Sequence, residues 1–293
     1  MAAQPMSRAD SDVRSNWPDR DAKGRRVLTS TGVLPGLAAL LLVMTLTIFL
    51  IATPGGALRK ADMVGYAVCH QIESHSFSLA GRQLPLCARC TGTFLGALVG
   101  LIGQALILRR PRAAAFPSSP ILVVLLFFTL SWIADGTNSY LALVGGANLY
   151  EPSHTLRLIT GSLNGLTMSA FVYPILNVSL WRAPVDKSAL QGARDLGILL
   201  LMESLLVILV LSDSDFLLYP VAFLSAAGVL ALLTSVNSVI ALIVLRRENS
   251  VENWRQALVP VAIGLVLSFI QVGVIDLIRY GLTGTLHGIP SLQ

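Results

Sequence analysis

The chain has 293 residues, 54% of them hydrophobic and 13% charged, and its mean hydropathy is +0.71. Soluble domains carry about a quarter charged residues to coat their cores, so this composition excludes a soluble globular fold. The net charge of +5 and the pI near 9.4 raise nucleic-acid binding as a rival explanation, which the placement of the basic residues answers below.

Residues 1–31 form a polar tail with Arg8, Arg14, Arg20, Lys23, Arg25 and Arg26 and little hydrophobic material. Such a segment is expected to be disordered or loosely surface-bound. The first apolar run, Val33–Ala52, holds 20 residues and no charge. It is too long for the apolar core of a signal peptide, and Ala52-Thr53-Pro54-Gly55 makes a poor cleavage site, so a retained first span is expected. Six further runs follow, at 91–108, 121–144, 158–181, 196–211, 220–245 and 257–280. Each approaches the ~20 residues that cross a bilayer core. The run at 196–211 is the weakest, because Glu203 lies inside it and Asp213 and Asp215 cut it short. The expected fold is an all-α, polytopic transmembrane helix bundle of about seven spans within 32–282.

The basic residues orient this bundle. With the tail cytoplasmic, the tail and the loops carrying Arg109, Arg110 and Arg112, then Arg182, Lys187 and Arg194, then Arg246, Arg247 and Arg255 hold 15 of the 21 lysines and arginines. The opposite face holds Arg59, Lys60, Arg82, Arg89, Arg157 and Arg279. This is the positive-inside bias. It predicts a multi-pass protein of the cell membrane, amino terminus cytoplasmic and carboxyl terminus extracytoplasmic. The bilayer is then the expected partner, and nucleic acid is not needed to explain the pI.

On that reading, 53–90 is an extracytoplasmic loop containing all three cysteines, Cys69, Cys87 and Cys90, and two of the four histidines, His70 and His75. Soft ligands crowded into one segment of a cysteine-poor chain are the most specific feature of the sequence. One reading is a metal site: the three sulfurs with His70, or with His75 in its place, form a tetrahedral set suited to zinc or another transition metal. A second is redox chemistry, since Cys87 and Cys90 precede a helix whose amino-terminal dipole favours a thiolate, with Arg89 adding positive charge. A third is structural closure of the loop by a disulfide, which leaves one odd thiol. Behind the cysteines, Gly92, Gly96 and Gly100 recur at intervals of four, as do Gly161 and Gly165, a pattern that lets two membrane helices approach closely.

The stretch C-H-Q-x4-S-F-x3-G-R-Q-L-P-L-C-A-R-C-T-G-x3-G resembles the signature of a family of predicted prokaryotic polytopic membrane proteins with no assigned function. A second block of that family is similar to Asp135-Gly136 followed by Arg157-Leu-Ile-Thr-Gly161. The resemblance covers about Lys60 to Pro174 and implies a membrane location and a shared site, without a reaction. One departure is His75, where the family tends to arginine, and it weakens His75 as a ligand.

Charges within spans are costly and ask for a reason. Asp135, Arg157 and Asp276 are all expected toward the cysteine side, with Asp135 paired to Arg157; Asn138, His154 and Arg279 lie near them, Arg279 free to snorkel. Glu203 is expected roughly 12 Å into its span, with Asn164, Asn177, Asn237 and Gln271 as candidate neighbours. There is no phosphate-binding loop, dinucleotide fingerprint, H-E-x-x-H or nucleophile elbow. Three classes of function stay open: a metal-binding or thiol-redox protein using the cysteines; a transporter or channel lined by Asp135, Arg157, Glu203 and Asp276; and an enzyme acting on a lipid or quinone, with Arg157 holding an anion and Asp135 as acid or base. The sequence leaves open whether the chain is an enzyme, and whether its substrate is an ion, a small molecule or a lipid.

Overall fold

The computed structural model describes residues 33–53 and 55–286. The polar tail predicted at 1–31 lies outside the described residues. The helices are α1 (Val33–Ala52), α2 (Ala57–Val68), α3 (Ala88–Ile102, continued by a π turn over Gly103–Ile107), α4 (Ser119–Leu143), α5 (His154–Leu180), α6 (Ala193–Leu211), α7 (Leu218–Val244) and α8 (Trp254–Thr283). Short strands β1 (Ser78–Leu79) and β2 (Arg82–Gln83) form an antiparallel hairpin, and β3 (Ala113–Ala115) pairs in parallel with β4 (Val185–Ser188).

Six of these helices are long and apolar enough to cross a membrane: α1, α3, α4, α5, α7 and α8. Helix α6 carries Arg194, Asp195 and Glu203 within its 19 residues, which sets it apart in composition. It nevertheless joins the two faces of the bundle. At its start Asp195 accepts from Arg110 at 2.5 Å, beyond the end of α3, while just past its end Asp215 accepts from the Ala80 amide of the cysteine loop at 2.7 Å. Its rise of about 28 Å fits one crossing. The chain is an all-α polytopic bundle of about seven spans, as its sequence predicts.

Helices α3 and α5 form the centre. A side-chain carbon on Gly92 would fall 2.3 Å from the Leu158 carbonyl oxygen, one on Gly96 2.3 Å from that of Ser162, and one on Gly165 2.0 Å from that of Thr93. Only glycine permits backbones this close, and the pairing expected from the four-residue glycine spacing is realised. Helix α4 packs on α5, α7 on α3 and α8, and α1 on α8.

The loop read as 53–90 contains α2, a helix not foreseen. Leu58, Ala61, Val64 and Gly65 follow helical spacing and are buried, while Arg59, Lys60 and Asp62 lie on the more accessible side. Helix α2 packs on α7 and α8 and so forms a cap over the cysteine face.

Candidate functional site

The three cysteines are brought together by two helix ends. Cys69 terminates α2, in extended conformation, and Cys87 is the residue before the first turn of α3, with Cys90 one turn inside it. Their Sγ atoms all lie within 4.8 Å of one another, and all three are free thiols, Cys69 and Cys87 buried. Backbone amides of Gln71 and Cys87 point at Cys69 Sγ, at 3.4 and 3.3 Å. Ala61, Val64, Leu86, Ala226 and Val229 surround the group with apolar contacts.

The residues between the cysteines shape this geometry. Ala80 and Gly81 both have positive φ, 50° and 68°, and make the tight turn of the hairpin. Arg82 then reaches Asp62 of α2 at 2.6 Å. Gln71, itself at φ 51°, donates to the carbonyls of Asp62 (3.0 Å) and Pro85 (2.8 Å), while Gln83 donates to the Gln71 carbonyl and to Ser76 Oγ, both at 3.0 Å. Gly65 lets the Pro85 carbonyl approach α2, since a side-chain carbon there would lie 2.1 Å from that oxygen. The glutamines and the Gly-Arg of the signature therefore hold the cysteine loop in shape. Arg279 completes the frame by donating to the carbonyls of Tyr66 and Cys69, the latter at 2.7 Å, and lies over the Tyr66 ring at 3.9 Å. Instead of snorkelling, it caps the end of α2.

Electrostatics single out Cys87. Hydrogen bonds from the Cys69 thiol first, then from Cys90, and a further one from His70, hold its thiol well below the ordinary range despite burial. Cys69 is pushed up to about 12, chiefly by the same contact with Cys87. His70 Nδ1 accepts from the Ile72 amide at 3.1 Å, which places the ring proton on Nε2 in the neutral form. His70 helps to lower the Cys87 thiol, while among the described residues the group close enough to share an ion is the three cysteines without His70 or His75. His75 is in edge contact with the His70 ring, centroids 5.5 Å apart, and its pKa is lowered to about 4 by burial and then by the Arg157 charge.

A second polar group adjoins the first through Arg89, the residue between Cys87 and Cys90. Arg89 donates to Asp135 Oδ2 at 2.6 and 3.1 Å, to the Asp135 carbonyl at 3.0 Å and to Ser139 Oγ at 2.9 Å. Tyr150 donates to Asp135 Oδ1 at 3.0 Å, and burial followed by that contact raises the phenol above its ordinary pKa. The expected Asp135–Arg157 pair is replaced by Asp135–Arg89: Arg157 instead approaches Ser139 Oγ at 3.4 Å. The reason is local, since Arg89 engages both the carboxylate and the carbonyl of Asp135 and Ser139 one turn on. Asn138 fastens the loop after α4, accepting from the Leu149 amide at 2.7 Å and donating to the Tyr150 carbonyl at 2.9 Å.

The remaining candidates lie apart. Asp276 is on α8, buried, with Oδ1 unpartnered among the described residues. Glu203 is 2% exposed on the inner face of α6, and neither carboxylate oxygen has a hydrogen-bond partner among the described residues. The amides expected near it are engaged elsewhere: Asn164 with Thr129, Asn177 with the Ala113 carbonyl and Trp181, and Asn237 with Ser268 and Gln271.

Comparison with known proteins finds uncharacterised relatives. An uncharacterized protein of Methanocaldococcus jannaschii is 33% identical over 108 residues, 37% of this chain and 63% of that one. The chain thus spans a little under two thirds of that relative. An uncharacterized protein of Methanothermobacter thermautotrophicus is 30% identical over 102 residues, 35% of this chain and 81% of the relative. No solved structure matches. The family described as "Predicted membrane protein (DUF2085)" matches residues 69–171, a stretch that begins at Cys69 and contains Cys87, Cys90, Asp135 and Arg157. This chain belongs to that family of predicted membrane proteins.

Proposed function

We propose that this membrane protein holds a thiophilic transition-metal ion, zinc foremost, through Cys69, Cys87 and Cys90 on its extracytoplasmic face. The supporting observation is the approach of three sulfurs within 4.8 Å of one another, drawn from the ends of two helices. Tetrahedral zinc with sulfur ligands at about 2.3 Å sets them about 3.8 Å apart, a small contraction. The amides on Cys69 and the His70 donor to Cys87 are the contacts that orient and stabilise metal-bound thiolates. His70 then supports the centre from outside, and the fourth position is open to water or an exogenous ligand. On an oxidising face, a bound metal would also protect three adjacent thiols from disulfide formation.

Thiol-redox chemistry is the second reading, favoured by the depressed Cys87 thiol at the start of α3. A transport path through Asp135, Arg157, Glu203 and Asp276 has less support. Asp135 is saturated by donors, and among the described residues Glu203 and Asp276 make no hydrogen bond with it. The same saturation makes Asp135 a poor acid or base. Metal analysis of the full chain, purified in detergent without chelator and under reducing conditions, tests the proposal. About one ion per chain is expected, falling to near zero in Cys87→Ser and Cys90→Ser. Absence of metal, with reversible formation of a Cys87–Cys90 disulfide, would transfer the assignment to redox chemistry.

A further inference from the structure

Beside the cysteine centre, Arg157 presents a buried charge with no direct ion pair among the described residues. It is 5% exposed, and beyond the 3.4 Å contact of its Nε with Ser139 no hydrogen bond engages its terminal nitrogens among the described residues. The Asp135 carboxylate already accepts from Arg89 and Tyr150. The negative charges that act on Arg157 are thus Asp135, shared with Arg89, and Cys87, and neither is hydrogen-bonded to it. Buried guanidinium donors left without acceptors are costly, and an anion beside them removes that cost.

The structure provides a place for the anion. Arg157 lines a cleft of about 410 Å³ with Ser74, His75, Ser139, Ser153 and His154. His154 Nδ1 is buried there without a hydrogen-bond partner among the described residues. The cleft sits over the first turn of α5, where backbone amides point outward and the helix dipole favours negative charge. Ser153 Oγ accepts from the Leu156 amide at 3.2 Å and retains its own proton to donate. Leu143 forms part of the wall, and Leu156 and Ile159 are exposed on the neighbouring turns. The cleft thus opens at the facing ends of α4 and α5, beside exposed apolar side chains.

We propose that this cleft binds a phosphate group. A guanidinium fork, hydroxyl and imidazole donors and a helix amino terminus converge on one volume, a set that matches the several acceptor oxygens of a tetrahedral oxyanion. The phosphate can come from a phospholipid headgroup or from a free phosphate ion, and both present the same chemistry to Arg157.

The test uses the full chain, delipidated in phosphate-free maltoside detergent, with unfolding temperature followed against added inorganic phosphate or short-chain phosphatidic acid and potassium chloride as the ionic control. Saturable stabilisation by at least one phosphate probe is expected. Its Kd should rise about tenfold or more in Arg157→Gln, recover in part in Arg157→Lys, and stay unchanged in Arg112→Gln on the opposite face. A response to phosphate alone assigns the free ion; a response to phosphatidic acid alone assigns the lipid. If Arg157→Gln does not fold, the doubly substituted Ser139→Ala, His154→Gln chain carries the same expectation with the arginine in place. No stabilisation by either probe, or equal stabilisation of wild type and the cleft variants, overturns the proposal.

Discussion

Arg89 stands between two cysteines, yet its side chain leaves them for α4, where it neutralises Asp135 in a pair that is only 18% and 2% exposed. Breaking a pair so placed leaves one charge buried and uncompensated. Asp135→Asn and Arg89→Gln are each expected to lower stability by about 3–5 kcal/mol, while Arg89→Met with Asp135→Leu recovers much of that loss, measured as unfolding in detergent. Gln71 belongs to the same scale. Its side chain joins α2 to the Pro85 carbonyl just ahead of Cys87, so Gln71→Ala removes both bonds and strands a buried acceptor. The expected result is a metal affinity about 10–100-fold weaker in competition with a chelator, with all three cysteines intact. Cys69, Cys87 and Cys90 were recognisable in the sequence because no other cysteines compete with them. Gln71, Gln83 and Arg82 were visible only as letters of a signature. Their work is to hold loop carbonyls and Asp62, and those partners come together only when the loop folds.

Helix contacts show the same division. The four-residue glycine spacing in α3 and α5 can be read directly, and it marks the helices whose backbones touch. Gly165→Ala puts a carbon 2.0 Å from the Thr93 carbonyl, so the helices must part, at a cost of about 1–3 kcal/mol in unfolding free energy. Gly197→Ala and Gly273→Ala, where nothing lies within 4 Å, are expected to be neutral or to gain about 0.5–1 kcal/mol from helix propensity. A loss as large at Gly197 as at Gly165 would remove the close-approach explanation. The apolar stripe of α2 lies in the sequence, but its role does not: it caps the cysteine face because Arg279, six helices on in α8, supplies donors to its final carbonyls.

Across the described residues, the nine basic residues of the expected cytoplasmic loops and the six of the opposite side fall on the two faces that the contacts define. Arg110 with Asp195 and Arg182 with Glu252 tie the basic face together, and the cysteine loop, α2 and the start of α5 make up the other. The orientation follows from the positive-inside rule and is open to measurement. A cysteine introduced at Asp213 should react with a membrane-impermeant maleimide in intact cells, and one introduced at Ser188 only after permeabilisation, with the unsubstituted chain as blank. The reverse pattern would put the metal centre in the cytoplasm and remove the argument from an oxidising compartment.

Membrane residence, an all-α bundle of about seven spans and the identity of the cysteine segment were determined by the sequence alone, because hydrophobic length and soft-ligand crowding are local properties of the chain. Which arginine meets Asp135, that the three sulfurs gather without His75, and that the terminal nitrogens of Arg157 have no hydrogen bond among the described residues were decided only by the tertiary structure. Those pairings depend on how α3, α4 and α5 are rotated against one another. That rotation is set by glycine contacts and loop hydrogen bonds between residues far apart in the chain, and no sequence spacing records it.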